Sequence, residues 1–265
     1  MRGAAVAHPS QAPAPARAPA PLSGPVGAGR WRRVGLLAVG GAVVWHAAPA
    51  LAGVGPLRRR LLPGLAGVGR PGHVALTFDD GPDLAATPAI LEALARLGWR
   101  ATFFMLGEMA CRAPGLAAEV AAAGHEVALH GDAHHNLLRR TPSQAGDDLR
   151  RGRARVAAAS GREPAWYRPP YGVLTGPVLL HAARLGLRPV LWTAWGRDWR
   201  AAATPASVTA DVLGGMVAGG TVLLHDSDCT SAPGAWRSTV GALPLLAERL
   251  GRAGLRVGPL GEHLR

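Results

Sequence analysis

The sequence contains no lysine, so arginine supplies all of its positive side-chain charge apart from histidine. The 29 cationic residues stand against 17 acidic ones, which gives a formal net charge of +12. Such an excess favours an anionic partner, but the arginines are scattered and do not alternate with aromatic residues, as they do on nucleic-acid-binding surfaces. We therefore interpret the charge as a compositional bias towards Ala, Gly, Pro and Arg, and we expect no nucleic-acid partner.

Cysteine is almost absent as well, with only Cys111 and Cys229 in 265 residues. Their spacing matches no metal-binding motif, and two thiols cannot build a disulfide framework, so a single bridge and two free thiols are the alternatives. Nucleotide-binding signatures are missing too. No Gly-x-Gly-x-x-Gly follows the first predicted strand and no phosphate-binding loop is present, which counts against a nucleotide-binding sheet.

The N-terminal part of the chain differs in composition from the rest. Residues 1–33 are rich in Ala, Pro and Arg without apolar periodicity, and we expect them to be disordered. Residues 34–57 carry no formal charge, which indicates a signal peptide cleaved after Ala52 or a retained membrane anchor. An apolar leader packed on the domain is a third alternative. With residues 58–72 as a linker, we expect an exported or membrane-anchored, extracytoplasmic protein that contacts the membrane through residues 34–57.

From His73 onward, short apolar runs alternate with helical patterns. Helices are expected at the Thr-Pro pairs that begin at Thr87 and Thr141, because threonine caps a helix and proline fits its first turn. Seven alternations of strand and helix predict one α/β domain over residues 73–265, with parallel strands in an open sheet or a barrel. The predicted strands are residues 74–78, 101–106, 126–130, 166–168, 189–193, 221–225 and 255–257.

Two adjacent acids, Asp79 and Asp80, stand where the first predicted strand meets a Gly-Pro turn. The carboxyl ends of parallel strands are where α/β enzymes carry their chemistry. Consecutive strand residues point to opposite sides, so the two acids have different roles unless the strand has already ended at the turn. With different roles, one acid would face a bound ion and the other a water molecule. Taken alone, Asp-Gly-Pro is more often a simple polar turn.

Two histidines follow the third predicted strand four residues apart, His130 and His134. Imidazoles at this spacing converge on one ion if the chain turns helically, and one carboxylate completes a site of two histidines and an acid. A pair of surface or capping histidines is the alternative, but the acidic strand end elsewhere in the chain favours a metal. His135 is adjacent to His134 and should point elsewhere.

Further polar groups follow the later predicted strands. Arg168 precedes Pro-Pro-Tyr-Gly, and the prolines and glycine of this motif would hold Arg168 and the backbone of Tyr171 rigidly. Arg168 could then bind a carboxylate, and a backbone N–H could face a developing oxyanion. If Asp198 approached His225, it would fix the tautomer of the imidazole and raise its pKa, which suits proton donation. A solvent-facing arginine and a structural histidine are the alternatives. The acids that we interpret as turn or surface residues are Asp226, Asp228 and Glu262.

Five motifs, in this order, resemble those of the polysaccharide deacetylases, carbohydrate esterase family 4. They are Thr-Phe-Asp-Asp-Gly-Pro at residues 77–82, His-x-x-x-His at 130–134, Arg-Pro-Pro-Tyr-Gly at 168–172, Asp-Trp at 198–199 and Leu-Leu-His-Asp at 223–226. The resemblance covers about residues 73–260 and implies a distorted (β/α)7 barrel. It also implies a hydrolase that uses one divalent metal ion, usually Zn²⁺ with Co²⁺ or Mn²⁺ as alternatives, to remove N-acetyl groups from N-acetylglucosamine-containing envelope or cell-wall glycan.

The resemblance implies a role for each matching residue. Those that match the family's metal ligands are Asp80, His130 and His134. Those that match its catalytic groups are Asp79 as general base, Arg168 as the residue that orients this base, His225 as the acid that protonates the leaving amine, and Asp198 behind this acid. Those that match its substrate contacts are Tyr171, whose backbone N–H would face the oxyanion, and Leu223 and Trp199, which would enclose the acetyl methyl group.

Two departures from the family pattern stand out. Gly131 replaces the usual Ser or Thr between the two histidines, so we expect the loop to lack a bracing hydrogen bond and the metal affinity to be weaker. The extra Asp that many members carry before Asp198 is missing, which leaves the surroundings of His225 less defined. The alternative functions are an O-acetyl esterase, a lipid-linked sugar deacetylase of the same fold, and a catalytically inactive glycan-binding module.

Overall fold

The structure is a computed structural model that describes residues 38–53 and 55–264. The stretch predicted to be disordered, residues 1–33, lies outside the described residues, as do residues 34–37. Residues from Ala42 onward belong to one compact unit. None of the described helices is by itself long and apolar enough to cross a bilayer, and Ala38–Ala52 with Gly55–Leu61 meets the length and composition only as a bent pair.

Strands and helices alternate along most of the described chain. The strands are β1 (His73–Asp79), β2 (Thr102–Leu106), β3 (Glu126–Gly131), β4 (Trp166–Tyr167), β5 (Arg188–Pro189), β6 (Ala194–Trp195), β7 (Thr221–His225) and β8 (Arg256–Gly258). The helices are α1 (Gly55–Leu61), α2 (Ala86–Leu97), α3 (Gly107–Arg112), α4 (Pro114–Ala122), α5 (Pro142–Ser160), α6 (Gly176–Arg184), α7 (Pro205–Gly215), α8 (Trp236–Arg252) and α9 (Leu260–His263). Residues 38–47 are also helical, and 3₁₀ helices span Ala48–Gly53, Leu137–Arg139 and Pro170–Gly172.

The strands form a single parallel sheet in the order β5-β4-β3-β2-β1-β7-β6, with β8 paired to the beginning of β1. If the sheet is followed round as a ring, strands β1 to β7 stand in the same order as in the sequence. Within the described residues, each strand of this ring pairs with the next except β5 and β6. The sheet is therefore a curled barrel with one open seam, which confirms the predicted α/β fold and its distortion. The strand predicted at residues 189–193 is instead the end of β5 and the crossing of this seam towards β6.

Strand β1 lies in the middle of the sheet and is buried along its whole length. A strand that is covered on both faces needs a continuous apolar sequence, which explains the run that precedes Asp79. Phe78 stacks on Phe103 of the neighbouring β2, with ring centroids 5.1 Å apart. Because the strand is buried to its end, the acidic residue Asp79 at that end is also shielded from solvent.

Threonine caps three of the described helices, and of the two Thr-Pro pairs predicted to start a helix, the one at Thr141 is confirmed. Thr141 caps α5 through a reciprocal pair of hydrogen bonds with Gln144. The start of α2 differs, because this helix already begins at Ala86 and the Asp83 carboxylate accepts the first free N–H groups. Thr87 is therefore inside the helix, and its hydroxyl is available for a contact outside it.

Candidate active site

Asp79 and Asp80 face one site because the strand ends between them. Strand β1 ends at Asp79, and Asp80 has a φ of +81°, in the left-handed region. This reversal brings both carboxylates towards the same imidazole: Asp79 Oδ2 lies 3.9 Å and Asp80 Oδ1 3.2 Å from His130 Nε2. Gly81 follows, and a side chain at this position would collide with the Asp226 carboxylate. The turn thus presents two neighbouring acids to one side.

The donor atoms of Asp80, His130 and His134 all lie within 4.8 Å of one another. The distance from Asp80 Oδ1 to His134 Nε2 is 3.5 Å. His130 Nδ1 donates to the Arg168 carbonyl at 2.8 Å, which leaves Nε2 as the ring nitrogen that faces the site. Asp80 Oδ1 is buried and has no hydrogen-bond donor among the described residues. A bound cation would be coordinated by this carboxylate oxygen and by the ring nitrogens of the two histidines.

This donor set fits a divalent metal ion. Two imidazoles and one carboxylate are typical ligands of Zn²⁺ in sites that leave positions open for water. Burial and the neighbouring His130 lower the pKa of His134 to about 4, so its imidazole is neutral and able to bind a metal at neutral pH. The structure therefore brings together the three residues that the sequence predicted as ligands.

Thr230 holds the second oxygen of Asp80. Its hydroxyl donates to Asp80 Oδ2 at 2.5 Å, although the two residues are 150 positions apart in the sequence. The contact leaves Oδ1 as the oxygen that faces the histidines. The sequence analysis missed Thr230, because a threonine in a turn carries no local signal of such a contact.

Asp79 is held by the fully buried Arg168. Nη1 of this guanidinium donates to Asp79 Oδ1 and to Thr77 Oγ1, each at 2.7 Å, and Nη2 donates to the Leu191 carbonyl at 3.0 Å. The guanidinium also lies 4.1 Å from the ring centroid of Phe104. Because Oδ1 is occupied, Oδ2 is the oxygen of Asp79 that faces the site. Arg168 is thus placed to orient this carboxylate, as predicted.

His225 and Asp198 form a hydrogen-bonded pair at the end of β7. His225 Nδ1 lies 2.7 Å from Asp198 Oδ1, and the His225 backbone N–H donates to Oδ2 at 2.8 Å. Burial alone would lower the pKa of His225, but the Asp198 carboxylate outweighs it and raises the pKa to about 10. Thr239 of α8, which the sequence analysis missed, donates to Asp198 Oδ2 at 2.7 Å. The surroundings of His225 are therefore well defined without the extra Asp.

Seven of the predicted site residues line one open cavity of about 860 Å³, and the buried Asp80, Arg168 and Asp198 are not among its lining residues. Tyr171, which has a φ of +59°, places its exposed ring edge-on to His134 with centroids 4.4 Å apart. Trp195 and Trp199 stack with ring centroids 4.4 Å apart and form an aromatic wall. The cavity therefore combines polar groups with apolar walls. Its lining includes Asp79, His130, His134, Tyr171, Leu223 and His225.

The structure corrects the interpretation of Asp226. This residue was predicted to lie in a turn or at the surface, but it is only 1% exposed. Its carboxylate accepts the Gly81 N–H at 3.1 Å and the Thr87 hydroxyl at 2.7 Å, and so ties the turn after β1 to α2. Asp228 does lie in a turn, where it accepts backbone N–H groups. The two thiols of Cys111 and Cys229 are free in the described chain.

Comparisons with known proteins show which family the chain resembles. Residues 66–190 match a family model described as polysaccharide deacetylase. The chain is 37% identical over 199 residues to a chitooligosaccharide deacetylase of Bradyrhizobium sp., which covers 71% of this chain and 89% of that protein. It is 35% identical over 160 residues to the peptidoglycan-N-acetylglucosamine deacetylase PgdA of Listeria monocytogenes, with 60% of this chain but only 34% of that longer protein covered. A solved family 4 carbohydrate esterase from Streptomyces lividans, in complex with acetate, superposes with a TM-score of 0.63 and 32% identity over 71% of this chain and 92% of that one.

Proposed function

The chain belongs to the polysaccharide deacetylase family, and on this premise we propose that it is a metal-dependent hydrolase that removes acetyl groups from N-acetylglucosamine units of an envelope or cell-wall glycan. The observation that carries the proposal is the convergence of Asp80, His130 and His134 at the edge of a cavity that Asp79 and His225 also line. One relative is named for chitooligosaccharides and another for peptidoglycan N-acetylglucosamine, which favours an N-acetyl over an O-acetyl substrate.

Asp80, His130 and His134 would hold one divalent ion. Zn²⁺ is our first candidate, and Co²⁺ and Mn²⁺ are the alternatives. The chemistry that such an ion supplies when bound is polarisation of a carbonyl oxygen and a lower pKa of water.

Asp79 would act as the general base. Arg168 engages Oδ1, so Oδ2 is the atom that would accept a proton from the attacking water. Because the guanidinium is itself anchored on Thr77 and Leu191, the carboxylate has one fixed orientation. A base that is oriented before the substrate arrives costs less reorganisation during the reaction.

His225 would protonate the leaving amine. Asp198 accepts the Nδ1–H, which makes Nε2 the nitrogen that carries a proton towards the cavity. The backbone N–H of Tyr171 would donate to the developing oxyanion. Leu223 and Trp199 would enclose the acetyl methyl group, since both line or border the same cavity.

Metal content and acetate release test the proposal together. The full-length protein is assayed on an N-acetylglucosamine oligomer with and without a chelator. One equivalent of metal with chelator-sensitive acetate release is the expected result. Bound metal without acetate would indicate another acyl substrate. Acetate release from a matched O-acetylated sugar oligomer, but not from the N-acetylglucosamine oligomer, would indicate an O-acetyl esterase. A protein that stays free of metal after Zn²⁺ is supplied would indicate the inactive glycan-binding module.

We also propose that the protein works outside the cytoplasm, exported or held at the membrane through residues 34–57. The proposal is supported by the uncharged sequence of this segment and by the exposed apolar side chains of its described part, which include Val39, Val43, Val44 and Leu51. Cell fractionation and mass spectrometry of the mature N-terminus test it. Recovery of the uncleaved chain from the soluble cytoplasmic fraction would contradict it.

A further inference from the structure

We propose that one face of helix α5 positions the metal loop, defined here as residues 130–134, and that Asp148 is the main positioning residue on this face. The inference rests on the proposed metal site, because the loop carries two of its three ligands. The face consists of residues spaced three or four apart, which lie on the same side of a helix. They are Asp148, Arg151, Gly152 and Arg155.

Asp148 contacts the middle of the metal loop. The residue is 6% exposed, and its Oδ2 accepts the Asp132 N–H at 3.0 Å. Its Oδ1 approaches the Ala133 N–H at 3.4 Å. Hydrogen bonds to an ionised acceptor are stronger than those between neutral groups. One carboxylate therefore restrains the backbone between the two imidazoles.

The same helix face also holds the side chain of Asp132. Arg151 Nε donates to Asp132 Oδ2 at 3.0 Å, and Arg155 Nη1 donates to Oδ1 at 2.9 Å. Gly152 lets the helix approach this closely, since a Cβ there would lie 2.7 Å from the Asp132 nitrogen and from the Gly131 carbonyl carbon. The helix and the loop are therefore joined through both backbone and side chain.

This contact changes the expectation drawn from Gly131. The missing hydroxyl predicted a loop without its bracing hydrogen bond, but the brace comes from a helix residue 16 positions beyond Asp132. Gly131 has a φ of +115°, and a Cβ there would lie 3.0 Å from Asp148 Oδ2. The Asp148 carboxylate thus lies beside residue 131, where a side chain on this residue would point.

Metal affinity is the property that this arrangement controls. Groups that orient metal ligands from outside typically change metal affinity by about 10- to 100-fold when they are removed. Asp148 does not line the cavity and touches no predicted ligand side chain, so it should act through the position of the loop. Its loss should therefore be compensated by a higher metal concentration.

The test measures Zn²⁺ dissociation constants of the full-length protein by competition with a chromophoric chelator, without substrate. Asp148→Ala should weaken binding by about 10- to 100-fold. Asp148→Asn keeps one acceptor oxygen and should lose less. The matched control is Asp147→Ala, since Asp147 is 44% exposed and pairs with Arg150 on the helix surface, and it should bind Zn²⁺ like the wild type.

Acetate release at saturating Zn²⁺ provides a second measurement. Asp148→Ala should regain most of the wild-type rate, because the residue does not touch the reacting atoms. A folded Asp148→Ala protein with wild-type Zn²⁺ affinity would overturn the inference, and so would an equal loss in Asp147→Ala. If Asp148→Ala does not fold, unchanged affinity in Asp148→Asn overturns it. Failure of the proposed function is distinguishable: a wild type that binds Zn²⁺ without releasing acetate refutes the substrate alone, whereas one that binds no Zn²⁺ refutes both.

Discussion

Asp79 and Asp80 are neighbours in the sequence, yet different partners hold them. Arg168 engages Asp79, and Thr230 engages Asp80. We expect Asp79→Asn to keep the metal while abolishing turnover, because the amide cannot accept the proton. His134→Ala should lose the metal first. Metal analysis beside steady-state kinetics checks both variants, and an Asp79→Asn protein without metal would show that Asp79 is needed for binding.

The pair of His225 and Asp198 predicts a pH dependence. Burial lowers the pKa of His225, and the Asp198 carboxylate raises it to about 10, so the imidazole is protonated below that pH and loses its proton above it. Loss of this proton should lower activity on the alkaline side of the pH profile. Asp198→Asn removes the negative charge, so the pKa should fall and the alkaline limb of kcat/KM should move to lower pH.

Full pH profiles of kcat/KM check this prediction. Thr239→Val is the comparison variant, because it removes one hydrogen bond to Asp198 but leaves the negative charge in place. Its alkaline limb should move less than that of Asp198→Asn. An alkaline limb that stays in place in Asp198→Asn would mean that another group donates the proton.

At the scale of secondary-structure elements, Asp226 connects the end of β7 with the turn after β1 and with α2. Asp226→Ala would leave the Gly81 N–H and the Thr87 hydroxyl without this acceptor, and should lower the free energy of unfolding by about 1–3 kcal/mol. Burial raises the pKa of Asp226 to about 7, so an uncharged amide of the same shape is a close substitute. Asp226→Asn should therefore lose much less stability.

Denaturant unfolding of both variants measures the effect. Asp211→Ala serves as the control, because this carboxylate pairs with Arg200 where both side chains reach solvent. An Asp226→Ala protein as stable as the control would show that the tie does not contribute to stability.

The elements could be predicted from sequence where the signal is local. An apolar run ending in two acids and the pair Thr141-Pro142 each depend on adjacent residues, and both mark real element ends. The missed contacts join distant residues: Thr239 and Asp198 are 41 positions apart, and Thr87 and Asp226 are 139 apart. No periodicity encodes such pairs. Strands as short as Arg188–Pro189 and Ala194–Trp195 are also too short for a period to appear.

At the scale of the whole molecule, a buried arginine joins α1 to the barrel. Arg58 is 6% exposed, and it donates to the Ala52 carbonyl at 2.7 Å and to the Trp192 carbonyl at 2.6 Å. Arg58→Ala should lower the free energy of unfolding by about 1.5–3 kcal/mol, because these hydrogen bonds involve a charged donor. The exposed Arg60 provides the control, and Arg60→Ala should change stability by no more than about 0.5 kcal/mol. Equal melting temperatures of the two variants would contradict the prediction.

The guanidinium of Arg168 contacts both the open seam of the barrel and the carboxylate of Asp79. Arg168 donates to Asp79, and also to the Leu191 carbonyl in the segment that crosses from β5 to β6. Since a planar guanidinium keeps its donors in a fixed geometry, displacement of the Leu191 carbonyl draws Arg168 away from Asp79. A substitution that moves this segment should therefore lower kcat, because it would misplace the proposed base.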